Sequence, residues 1–136
     1  MTAAPPAAAP LDIDPETTTS EIAVTLVSPS LVELEMPRDV EIVGPVARRA
    51  AAAVQAIAGR KRVGVMLNIS GVIGVSAEAR HAYSESIAAR AVAIVGEGPV
   101  DRVIAHYLLR SRSESIPAQF FLSRPAALEW LRQYTE

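Results

Sequence analysis

Apolar and polar residues alternate from Glu21 to Val27, with Ile22, Val24 and Leu26 on one side, the period of a half-buried strand. Ser28-Pro29-Ser30 marks a turn. The alternation resumes through Leu31, Val32, Leu34 and Met36 until Pro37 ends it, so the two runs predict a β-hairpin. The period then lengthens. Val46, Ala50, Ala53, Val54 and Ile57 recur at helical spacing behind Gly44-Pro45, and Gly59 supplies a stop. Arg62 to Ile69 is a nearly continuous apolar run, the pattern of a central strand covered on both faces.

Ser76 is placed to cap a second helix over Ala77 to Arg90, with Ala79, Ala82, Tyr83, Ser86, Ile87 and Arg90 at its inner and flanking positions. Ala91 to Val95 reads as another buried strand. Gly96-Glu97-Gly98-Pro99 turns the chain into a third helix with a stripe of Val100, Val103, Ile104, Tyr107 and Leu108. Pro117 precedes a last strand, Ala118 to Leu122, and Ser123 caps a final helix in which Leu128, Trp130 and Leu131 are apolar. Trp130 reads as its packing anchor. The predicted order is β-β-α-β-α-β-α-β-α. It argues for an α/β fold with a mixed, mainly parallel sheet, an N-terminal β-hairpin and four helices spread over both faces.

Length and composition narrow the picture. The chain has 136 residues, room for one domain, and 50% of them are hydrophobic with a mean hydropathy of +0.24, which excludes disorder for most of it. Residues 1–20 are the exception. They are rich in Pro, Ala and Thr and are expected to form a disordered tail to a single domain over 21–136. They also hold Asp12, Asp14 and Glu16 without a basic residue, whereas the remainder is nearly neutral. A neutral body with 4% aromatics offers neither the field nor the stacking surface for nucleic acid. The opening residues lack a basic n-region and an apolar h-region, and no run of 18 apolar residues exists, so the expectation is a cytoplasmic protein without integral membrane association. Arg outnumbers Lys by 12 to 1 beside 24 Ala, a composition that suggests a GC-rich bacterial genome.

Little catalytic chemistry is visible. There is no cysteine. His81 and His106 fall on different helices with no second histidine at an i, i+4 spacing, so neither a metal site nor a general base is expected. Gly96-Glu97-Gly98 lacks the remainder of a dinucleotide fingerprint, and its glutamate would repel a phosphate. Arg60-Lys61-Arg62 and Arg110-x-Arg112 read as solvated loop charges. No cofactor is implied.

Three stretches carry a resemblance. Met66-Leu67-Asn68-Ile69-Ser70-Gly71-Val72 is similar to the central strand and following loop of the STAS-like family, the SpoIIAA-like fold of bacterial anti-sigma-factor antagonists. Ala91-Val92-Ala93-Ile94-Val95-Gly96 and Ala126-Ala127-Leu128-Glu129-Trp130-Leu131 resemble an uncharacterised bacterial branch of it. The resemblance covers about residues 21–136. It implies a non-catalytic regulatory module, and it implies a switch: a serine at the start of the helix after the central strand, which a kinase-like partner phosphorylates. Aligned from Leu67-Asn68, Ser76 falls on the aspartate before that serine, while Ala77 and Glu78 fall on the serine positions, so the usual phosphoacceptor is missing. A slip of one residue returns Ser76 to the role.

The function expected on these grounds is a protein-interaction module without the usual phosphoserine switch. Its partner surface or regulatory site would comprise Ser76, Glu78, Arg80, His81, Ser84 and Glu85 on the exposed part of the second helix. The alternative is a carrier of lipid or another small apolar ligand, suggested by the relation of this fold to lipid-binding CRAL-TRIO domains.

Overall fold

The structure is a computed structural model that describes residues 22–86, 89–110 and 115–135, the side chains of 84–86 excepted. Its elements are β1 (Ala23–Ser28), β2 (Leu31–Glu35), β3 (Glu41–Ile42), α1 (Gly44–Ala58), β4 (Val63–Asn68), β5 (Gly74–Val75), α2 (Ala77–Ser86), β6 (Ala89–Val95), α3 (Pro99–Leu109), β7 (Ala118–Phe121) and α4 (Arg124–Thr135). The main sheet runs β1-β2-β4-β6-β7. The β1–β2 hairpin is antiparallel and every other pairing is parallel. The predicted α/β order therefore holds, with β3 and β5 added as a separate two-stranded parallel pair.

Period-2 alternation sorts the side chains of the sheet into two cores. Val32 and Leu34 of β2, Val63, Val65 and Leu67 of β4, and Val92 and Ile94 of β6 meet α1, α2 and α3 on one face. Leu31, Met66, Ala91, Ala93 and Val95 meet α4 alone on the other. Burial of residues 63–67 of β4 and 91–95 of β6 explains why these two runs read as continuously apolar. Gly64, Ala91 and Ala93 keep part of the α4 face low so that one helix can lie close. A Cβ on Gly64 would stand 2.7 Å from Cγ2 of Thr135 and 3.5 Å from Cδ2 of Leu131. Further ties come from the Ser30 hydroxyl, which donates to the Thr135 carbonyl at 3.1 Å, and from Arg124, which forks onto Glu33. The Glu33 hydrogen bonds and charge raise the pKa of that guanidinium.

Three details correct the sequence reading. Arg90 is not the end of α2: it lies in β6, which starts at Ala89. Ala89 and Val92 both join the three-helix core although three residues apart, because the β4–β6 register shifts there and Arg90 is the extra residue. Its guanidinium reaches the carbonyls of Arg62 at 3.3 Å and Tyr134 at 3.5 Å. The buried stripe of α3 is Asp101, Ile104, Ala105 and Leu108, whereas Val100 and Val103 are 62% and 68% exposed. Trp130 is half-buried beside Phe121 and Tyr134, with ring centroids 5.5 and 4.9 Å away, so the anchor of α4 is Leu131 at 0% exposure.

Candidate functional site

The helices that follow β3, β5 and β6 all begin at the C-terminal edge of the parallel strands, where open α/β sheets place their binding groups. Two of the connections at that edge are zipped together. From the β2 side, Met36 N–H donates to Asn68 at 3.0 Å and Asp39 N–H to Gly71 at 2.7 Å. From the β4 side, Ile73 N–H donates to Val40 at 3.0 Å and Ser76 N–H to Ile42 at 2.9 Å, with the β3–β5 pairing between them. Gly71 has φ 83°, and Arg38 fills the space a side chain there would need, with Cζ 2.9 Å from the Cβ position.

The third connection, Gly96 to Gly98, meets this pair across a shallow groove of about 300 Å³ lined by Arg38, Gly71, Glu97, Gly98, Pro99 and Val100. Asp101 lies beneath it. Its carboxylate, only 6% exposed, accepts the Glu97 N–H at 2.7 Å. A backbone amide that could have faced a phosphate is thus taken by the chain's own carboxylate, which accounts physically for the missing fingerprint. Large apolar side chains stand out from the same edge: Ile73 at 65% exposure, Val100 at 62% and Val43 at 37%.

The six residues singled out by sequence do not form one cluster. Ser76 is the N-cap of α2, its Oγ accepting the Ala79 N–H at 3.0 Å while its carbonyl accepts the Arg80 N–H. Glu78 turns toward α1 and pairs with Arg48 at 3.0 Å. Arg80 turns toward α3, where its guanidinium carbon lies 4.6 Å from the Tyr107 ring centroid. His81 is exposed. The side chains of Ser84 and Glu85 lie outside those described. Among the described residues no group of histidine and carboxylates is arranged to hold a metal ion, and no helix is long and apolar enough to cross a membrane.

Sequence reasoning missed the exposed Val100 because a helical stripe would bury it, and Ile73 because it lies in a loop with no period to read. It missed Asp101 too, although an acidic residue three positions after the Gly98 cap is a readable sign of a side chain reaching back over the turn.

An apolar slit lies between α1, α2 and the sheet, lined by Leu34, Met36, Ala47, Ala50, Ala79 and Tyr83 among others, with a volume of about 40 Å³. That admits a water-sized object. Pockets for small ligands hold about 300–1,000 Å³.

Comparison with known proteins bears on the fold. An uncharacterized DUF3478-family protein with a SpoIIAA-like fold from Shewanella loihica PV-4 superposes with a TM-score of 0.55 at 16% identity, over 81% of this chain and 91% of its own. A protein of unknown function from Arthrobacter sp. FB24 is 27% identical over 81% of this chain and 92% of its own, with a TM-score of 0.32. No curated protein matches. The fold is SpoIIAA-like, and the model of DUF7793, a domain of unknown function, matches residues 27–135: the chain belongs to the DUF7793 family.

Proposed function

We propose that the protein is a non-catalytic regulatory module that binds another protein through the start of α2 and the three connections at the C-terminal edge of the sheet. The observation that carries this reading is the exposure of Ile73, Val100 and Val43 on connections that backbone hydrogen bonds hold in place. Large apolar side chains on a fixed frame lose water favourably when a partner covers them, at little cost in ordering. The module works without the phosphoserine switch of the STAS-like family it resembles. Ala77 has no hydroxyl, Glu78 is engaged with Arg48, and Ser76 Oγ accepts the Ala79 amide. The reading places the protein in the cytoplasm, the setting of the anti-sigma-factor antagonists it resembles.

The carrier reading draws on the apolar slit between α1 and α2. Alanines line both of its helical walls, and a lipid chain would require α1 and α2 to part widely from their present packing.

Quantitative affinity capture from the protein's own cells tests the proposal. A partner retained by the wild type and by Glu129→Lys on α4, and reduced at least about tenfold by Ile73→Asp or Val100→Asp, is the expected result. A partner indifferent to both substitutions would overturn it, as would stoichiometric extractable lipid with no partner.

A further inference from the structure

Among the described residues the main sheet ends in two strands of different character. β7 is four residues long, follows Pro117, and carries Phe120 with the Arg102 guanidinium carbon 5.2 Å from its ring centroid. Short length, proline and nearby charge are the usual protections of an open edge. β1 has six residues, AVTLVS, with neither charge nor proline inside the strand, although Pro29 follows it, and leaves Leu26 51% and Val27 38% exposed. Its one irregularity falls between Leu26 and Ser28, beyond the regular stretch Ala23 to Leu26. Ile57, 40% exposed on the last turn of α1, adds apolar surface at the same end of the sheet, because α1 runs back from the C-terminal edge toward the start of β4.

We infer that β1 is the seat of a symmetric dimer, pairing antiparallel with β1 of a second copy and joining two five-stranded sheets into one of ten. The occupant follows from the strand's composition. Antiparallel pairing about a two-fold axis sets a strand against its own reverse, so any charged residue near the axis would meet its like. β1 has none to meet. With Thr25 on the axis, Val24 lies opposite Leu26 of the second copy on the face that α1 covers, and the exposed part of Leu26 gains an apolar neighbour. Both copies of α1 then stand on the same side of the joint. This surface is separate from the C-terminal edge and does not depend on the partner reading above.

Sedimentation velocity of the full chain over a concentration series tests the inference, with circular dichroism confirming that each variant folds. The wild type is expected to dimerise. Thr25→Lys and Thr25→Glu, both at an exposed position, should each weaken the dimer by at least about fivefold, because like charges then oppose each other on the axis. An equimolar mixture of the two variants should restore it as a heterodimer. Gln119→Lys on β7 should leave it unchanged. A wild type that stays monomeric throughout, a dimer indifferent to both Thr25 variants, or a mixture that fails to reassociate would each overturn the proposal.

Discussion

Glu78 Oε2 lies 3.0 Å from Arg48 Nη1, so the acidic residue in the first turn of α2 is committed to α1. A residue imitating a phosphate would have to point at a partner instead. Both side chains are more than half exposed, and exposed pairs of this kind contribute about 0–1 kcal/mol. Glu78→Gln is therefore expected to change the unfolding free energy by less than about 1 kcal/mol and partner affinity by much less than tenfold. Denaturant unfolding and a binding titration on the same samples check both. A tenfold change in affinity would mean that the charge acts on the partner.

The Asp101 carboxylate is buried and holds the Glu97 amide, so its removal leaves a donor without a partner beneath the groove. Asp101→Ala should cost about 1–3 kcal/mol, and Asp101→Asn clearly less, because an amide oxygen still accepts. Urea midpoints of the two variants at equal m-value distinguish this from a general loss of packing.

Gly64 and Thr135 define how near α4 can approach the sheet. Gly64→Ala should destabilise the domain by about 1–3 kcal/mol through overpacking. Thr135→Ser removes the Cγ2 that the new methyl would strike, so the double variant should recover part of the loss. A double-mutant cycle with no coupling would show that Leu31 or Leu131 sets the approach.

Leu131 is fully buried and Trp130 half-buried, which reverses the order of importance expected from residue size. Leu131→Ala should cost about 2–5 kcal/mol. Trp130→Ala should cost about 2 kcal/mol, below the usual range for a fully buried aromatic, since part of the indole already faces water. Thermal or chemical unfolding of the two variants in parallel tests the ranking.

The sequence made the element order legible because strand and helix periods are local properties. Val24 against Leu34 in the hairpin, the buried VGVMLN of β4, and the Ser76 and Ser123 caps follow from short-range chemistry. What escaped it depends on contacts between distant segments. Arg90 continues an acceptable helical pattern, and only pairing with β4 shows that it is an inserted residue in a strand. Val100 and Val103 satisfy a helical stripe, yet the packing of α3 on the sheet selects a neighbouring face containing Asp101. Ser76, Glu78 and Arg80 are close along the chain, yet successive helix positions point in different directions, so their side chains part. The exposed apolar edge has no periodicity to betray it, since Ile73 is held by a hydrogen bond to Val40, 33 residues earlier.

The zipped connections have a mechanical consequence. Loops that leave a sheet separately can be displaced one at a time, but Asp39, Ile73 and Ser76 each give their amide to the opposite connection, so neither yields without breaking bonds to the other. A push on Ile73 is passed through Val40 toward the first turn of α1, and through Gly74 and Val75 toward Ser76 at the head of α2. The edge thus responds as a stiff plate, and the amides of Asp39, Ile73 and Ser76 should exchange with solvent as one cooperative group, with protection factors that rise and fall together.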